Sequence, residues 1–147
     1  MKVSEVLQSN KQVLASCTPE EPILTISERL NALNIGAMPV CGAGGGGLIG
    51  IISERDIVRG FARMGARLTE RHVRDLMTKE VVSCGPDDSM ADAESSMNKH
   101  RIRHLPVVDR GKLVGMLSIR DVTAWRLQES RNEVNVLRDV VIAARHR

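Results

Sequence analysis

Aromatic residues are nearly absent: the 147-residue chain has one phenylalanine, Phe61, one tryptophan, Trp125, and no tyrosine. Proteins that hold single-stranded nucleic acid stack bases on aromatic side chains, and this chain lacks them. Its formal charge of +3 is modest and suits a small anionic ligand at least as well as a polynucleotide. Long apolar runs are missing too. No stretch approaches the roughly 20 residues of a membrane span, and Met1-Lys2-Val3-Ser4-Glu5 has no signal-peptide core. The chain therefore reads as soluble and cytoplasmic. Cysteine is sparse: Cys17, Cys41 and Cys84 are odd in number and form no C-x-x-C pair. With His72, His100, His104 and His146 scattered, no zinc-ligand spacing arises. Reduced structural thiols and no metal are expected.

What is present is enough for a core, 42% hydrophobic residues beside 27% charged, and it is arranged as a repeat. Ser16-Cys17-Thr18-Pro19-Glu20-Glu21 aligns with Ser83-Cys84-Gly85-Pro86-Asp87-Asp88 at an offset of 67. The same offset of 67 places Ile35 on Ile102 and Pro39-Val40 on Pro106-Val107. Leu48 to Ile57 then matches Leu113 to Val122 at 65, the first copy carrying two extra residues between Gly42 and Gly47. Upstream, Val3-Ser4-Glu5-Val6-Leu7 matches Val73-Arg74-Asp75-Leu76-Met77. An ordered series of this kind marks an internal duplication.

Each copy reads β-α-β-β-α. A short strand near Val13-Leu14, or Val81-Val82, leads into a Pro-acidic helix start, where Glu20, Glu21, Asp87 and Asp88 would meet the positive end of the helix dipole. Ile23, Ile26, Leu30 and Leu33 then recur at helical spacing, as do Met90, Ala93 and Met97. Strands follow around Ala37 to Cys41 and Leu48 to Ile52, then His104 to Val108 and Lys112 to Leu117. A second helix starts at Ser53 or Ser118. The run Gly42 to Gly47 is followed by Leu48-Ile49 rather than Lys-Ser, and by a strand rather than a helix, so it is a hairpin loop and not a phosphate loop. Its counterpart, Asp109-Arg110-Gly111-Lys112, is a tight turn.

Both copies place Ser and Asp three residues apart at a strand-to-helix junction, Ser53-Glu54-Arg55-Asp56 and Ser118-Ile119-Arg120-Asp121. Free backbone N–H groups and the helix dipole favour a phosphate there. The serine hydroxyl and the arginine add donors, and the aspartate one turn on can accept from ribose hydroxyls. Helix capping is the alternative, with Ser as N-cap and Asp in place of the capping-box Glu. The identical S-x-R-D in both copies, after the same Gly-apolar-apolar, favours a nucleotide cradle.

With these motifs, and with Ile35-Gly36-Ala37-Met38-Pro39-Val40 and Ile102-Arg103-His104-Leu105-Pro106-Val107, the chain resembles the cystathionine-β-synthase (CBS) domain family, in the tandem pair of a stand-alone bacterial-type signalling protein. The resemblance implies an α/β fold of two repeats, residues 2–65 and 70–128, packed sheet to sheet about a pseudo-twofold axis, with a helical extension over 129–147. It implies two clefts for AMP, ADP, ATP or NAD(H), with S-adenosylmethionine behind them. Asp56 and Asp121 would then hold ribose, and Ser53, Arg55, Ser118 and Arg120 would face phosphates. Ile35, Ala37, Met38, Pro39, Ile102, Leu105 and Pro106 would line the adenine pockets, closed near Ser16 and Ser83. Arg101, Arg103 and His104, which replace Asn34, Gly36 and Ala37, form a basic cluster expected to reach phosphates; a solvated patch is the alternative. The Asp121 cleft should then prefer the more highly charged nucleotide, a ranking that reverses if the cluster reaches across the pair.

After the second copy, Leu127, Val134 and Val141 recur every seven residues, as do Leu137 and Ala144. This seam is expected to make a homodimer contact or to fold back on its own module. No catalytic constellation is present. The reading is a non-enzymatic module that senses adenine nucleotides and signals to another protein. The alternatives are a nucleic-acid-associated regulator using Arg101, Arg103 and Arg145-His146-Arg147, or a constitutive dimerisation scaffold.

Overall fold

A computed structural model describes residues 1–11 and 14–146; Val13 and Arg147, both invoked above, lie outside them. The duplication appears as two α/β units, each with a two-stranded antiparallel sheet. Helix α2 (Ile23–Leu33), strands β1 (Ala37–Cys41) and β2 (Leu48–Ser53) and helix α3 (Glu54–Met64) form the first unit. Helix α5 (Met90–His100), strands β3 (His104–Asp109) and β4 (Lys112–Ser118) and helix α6 (Ile119–Arg145) form the second. Short helices α1 (Val3–Ser9) and α4 (Val73–Leu76) precede each. Both hairpins form as expected. Arg110 and Gly111, both at positive φ, make the two-residue turn of β3 and β4.

Single bridges stand near the places expected for the first strands, that of the first copy falling partly outside the described residues. Cys17 pairs with Val40 and Cys84 with Val107, each in parallel, while Val81 and Val82 carry no strand. The acidic pairs also sit one turn earlier than expected. Glu21 accepts from the Thr18 N–H at 2.7 Å and Asp88 from the Gly85 N–H at 2.7 Å, so they close a turn ahead of the helix. The N-caps proper are Pro22 and Ser89.

Helix periodicity buries Ile23, Ile26 and Leu30 from α2, and Met90, Ala93 and Met97 from α5. Leu33, expected on the same face, is 44% exposed. Each of these buried side chains larger than alanine contributes roughly 1.5–3 kcal/mol relative to exposure. The short helices cross over. Val3 and Val6 of α1 join the core of the second unit, and Val73 of α4, flanked by Leu76 and Met77, joins the first. Backbone bonds clip each in place: the Val3 N–H donates to the Asp88 carbonyl, and the Val73 N–H to that of Glu21, both at 2.9 Å.

The crossing accounts for the glycine ahead of each Ser-x-Arg-Asp motif. A Cβ at Gly50 would stand 2.9 Å from the Met77 sulfur and 3.0 Å from the Thr78 carbonyl, and one at Gly115 would stand 2.6 Å from Leu7. Leu7 and Met77 occupy equivalent places in the repeat, so both glycines admit the visiting helix. Burial raises all three thiols, Cys17 to about 12 and Cys84 to about 11. They are free and protonated at neutral pH, as structural cysteines should be.

Candidate functional site

Both Ser-x-Arg-Asp motifs form capping boxes where a strand turns into a helix. The Ser53 N–H and hydroxyl donate to Asp56 Oδ2 at 2.9 and 3.0 Å, and the Asp56 N–H donates to Ser53 Oγ at 3.3 Å. Ser118 and Asp121 repeat the pattern at 2.7, 2.9 and 3.3 Å. Capping is therefore realised in both copies, and the hydroxyls expected to face phosphate spend their proton on the aspartate. One carboxylate oxygen remains in each motif. Asp56 Oδ1 has no protein partner among the described residues, whereas Asp121 Oδ1 accepts from the side-chain amide of Asn10. Asp121 is only 8% exposed, so it is a buried structural residue as well, and alanine there would remove the carboxylate half of the capping box.

Each motif opens on a cleft built with the other copy's strand. The Ser53 cleft, about 390 Å³, is lined by Ser53, Arg55, Asp56 and Arg59 from the first unit, and by Ile102, Arg101, Arg103 and His104 from the second. The Ser118 cleft, about 350 Å³, joins Ser118 and Arg120 to Ile35, Ala37 and Pro39 of the first unit; Asn10 lines it, and Asp121, to which Asn10 donates, does not. Both volumes lie in the range of small-molecule sites, about 300–1,000 Å³. The basic cluster does reach across the pair. Arg101 lines the Ser53 cleft alone, while Arg103, His104, Ala37 and Glu54 line both. Four guanidinium groups, of Arg55, Arg59, Arg101 and Arg103, thus share a cleft with Asp56, against two in the Ser118 cleft. Glu54 and Glu80 offset part of that charge. Arg101 caps α5 at a φ of 54°, a left-handed position costing roughly 1–2 kcal/mol for a residue with a Cβ. Its counterpart Asn34 tolerates that conformation better.

Several residues expected in the pockets lie elsewhere. Met38 and Leu105 are fully buried in the two cores, because successive strand side chains alternate faces and Ala37 and Pro39 take the cleft side. Pro106, the counterpart of Pro39, is buried off the cleft, its carbonyl accepting from the Cys84 N–H at 3.0 Å. Ala15 and Val82 line the clefts in place of the neighbouring Ser16 and Ser83; the Ser16 carbonyl instead accepts from Arg29 at 3.0 Å.

His104 stands in the wall between the clefts, its Cε1 3.2 Å from where a Cβ on Gly36 would lie. Burial holds its imidazole below the ordinary 6.5; Arg103 pushes the same way, and Glu54 and Asp121 pull it up. The free fold favours the neutral ring, so this contribution to stability is complete above pH 6.5 and is lost as pH falls through the depressed value. A phosphate entering either cleft favours the imidazolium instead. Binding of a phosphorylated ligand should therefore take up a proton and strengthen as pH falls, down to the depressed value of the free ring. Calorimetry in buffers of different ionisation enthalpy measures this uptake. An equal pH response from His104→Asn would refute the assignment.

The CBS domain family matches the chain twice, over residues 3–63 and 73–127. The chain belongs to the CBS domain family. The CBS domain-containing protein YhcV of Bacillus subtilis (strain 168) is 32% identical over 120 residues, 82% of this chain and 84% of that protein. The CBS-domain containing protein ATU1752 from Agrobacterium tumefaciens has a TM-score of 0.80 and 34% identity, over 85% of this chain and 92% of that one. The CBS domain protein PAE2072 from Pyrobaculum aerophilum, solved in complex with AMP, has a TM-score of 0.74 and 26% identity, over 82% of this chain and 89% of that one.

Within this CBS pair, sequence reasoning missed Asn10, Arg59 and Glu80. Arg59 follows Arg55 by one helical turn, a signal present in the sequence. Asn10 and Glu80 lie 70 residues apart, the offset that aligns Val3 with Val73; extending that alignment would have paired them. Among the described residues no three His, Cys, Asp or Glu side chains converge as metal ligands, and no helix is long and apolar enough to cross a membrane.

Proposed function

We propose that this CBS pair is a non-enzymatic regulatory module of the cytoplasm that senses an adenine nucleotide, AMP, ADP, ATP or NAD(H), and passes the signal to a protein partner. The observation that carries the reading is the Ser53 cleft. It sets a carboxylate oxygen without a protein partner among the described residues, Asp56 Oδ1, beside the guanidinium groups of Arg55, Arg59, Arg101 and Arg103 and the apolar Ile102 and Val82. An acceptor for ribose hydroxyls, forked donors for phosphate and an apolar slot for a base match the three parts of a nucleotide. The AMP held by PAE2072 supports the choice of ligand class. With Arg59 and Arg101 lining the Ser53 cleft and not the other, that cleft takes the more highly charged nucleotide.

The nucleic-acid alternative loses support, since Trp125 is buried and leaves Phe61 as the only exposed aromatic. A thermal-shift panel of AMP, ADP, ATP, NAD(H) and S-adenosylmethionine tests the proposal. A ligand at 100-fold over its Kd adds about 2.7 kcal/mol, raising Tm by roughly 5–10 °C for a chain of this size. A flat panel would point to the scaffold reading.

The same proposal includes a homodimer through α6. The helix runs unbroken from Ile119 to Arg145, with Leu127, Val134, Leu137 and Val141 each between 47% and 65% exposed. The seam therefore does not fold back on its own module. In a parallel pair, Glu133 of one copy would face Arg138 of the other across it.

A further inference from the structure

The two clefts offer a comparison within one chain. Their capping boxes are alike to within 0.2 Å, yet one aspartate has an oxygen to spare and the other does not. Asn10, the C-cap of α1, donates its side-chain amide to Asp121 Oδ1 across 111 residues of sequence. Its own N–H is held by the Val6 carbonyl at 3.0 Å, and α1 is clipped to the second unit at Asp88 and Pro86. The amide is thus delivered by a fixed element. At the equivalent place in the repeat stands Glu80, which lines the Ser53 cleft and carries no amide donor. The chain after α4 also takes another path, with Thr78 pairing with Ile51 of β2.

We infer that Asn10 is a built-in latch on the second nucleotide site: its amide takes the place of a ribose hydroxyl on Asp121, so the chain binds one adenosine ligand, in the Ser53 cleft, until the latch is displaced. This rests on the adenosine reading above and adds to it a stoichiometry and a residue that sets it. An amide N–H and a ribose O–H are both neutral donors of similar strength to a carboxylate, so a nucleotide entering the Ser118 cleft must break a bond of the kind it forms. The site would open only to a ligand with further contacts, or when α1 is drawn away.

Calorimetric titration of AMP into four proteins tests this. The parent should bind one AMP per chain, and Asp56→Asn should lose at least ten-fold in affinity. Asn10→Ala should bind two, and the double variant Asn10→Ala/Asp121→Asn should return to one. Two comparable sites in the parent, or a single site in Asn10→Ala, would overturn the latch while leaving the adenosine reading intact. No AMP binding by any of the four would remove that reading and this inference together. Circular dichroism melting of each protein keeps a folding defect from being read as a lost site. Should Asn10→Ala not fold, Asn10→Asp, which sets a carboxylate against Asp121, must give the second site in its place or the latch is refuted.

Discussion

A chain ending at Arg126 will sediment as a folded monomer at concentrations where the full chain is a dimer. Only Asp121, Val122 and Trp125 of α6 are buried, and all three lie before the cut. Arg126 is kept because its guanidinium pairs with Glu94 at 2.6 Å and covers the Trp125 ring at 4.6 Å. Beyond it the helix carries Leu127, Val134, Val136, Leu137, Val140, Val141 and Ile142 in the open. Half-burying a handful of these against a second copy is worth several kcal/mol at roughly 1.5–3 kcal/mol per fully buried side chain, so removing them should weaken association by more than about 100-fold. Sedimentation velocity on both chains reads the result, with a thermal melt to show that the shortened chain still folds. An undiminished dimer would place the contact elsewhere.

Asp56→Asn should weaken AMP binding about 10- to 150-fold, the equivalent of 1.5–3 kcal/mol for hydrogen bonds to a charged group. Asparagine is the informative replacement. Its carbonyl can keep the cap that Asp56 Oδ2 makes to Ser53, while its amide presents a donor where the ribose hydroxyls need an acceptor. Alanine would remove the carboxylate's bonds to Ser53 too and mix a stability loss into the result. Equilibrium dialysis against labelled AMP is sufficient, and unchanged affinity would remove Asp56 from the site.

Much of this was legible in the sequence because it is local or periodic. The hairpins, the helix starts at Ser53 and Ser118, and the buried stripe of α5 follow from spacing and turn chemistry alone. What was hidden is what depends on where distant segments meet. Val3 to Leu7 has the same pattern whether it covers its own unit or the other, so the exchange of α1 and α4 leaves no mark in the repeat. It shows only as two unexplained glycines, Gly50 and Gly115. The clefts are cross-composed as well, so that Arg101 shares a cleft with Asp56. Pro19 and Pro86 carry a real signal, misplaced by one turn because a proline-acidic turn and a helix N-terminus use the same residues. Met38 and Leu105 were assigned to pockets by motif although strand alternation, applied strictly, places them in the cores. Asn10 has no local signal at all; its partner is a buried carboxylate at the far end of the chain.

The measurement that bears most directly on adenosine sensing is a calorimetric titration of the full chain with AMP at two salt concentrations, beside the same titration with a single-stranded oligonucleotide. A nucleotide sensor predicts saturable AMP binding at both salts, abolished or strongly weakened in Asp56→Asn, and no binding of the oligonucleotide. Oligonucleotide binding that falls steeply with salt, together with no heat from AMP, would contradict it.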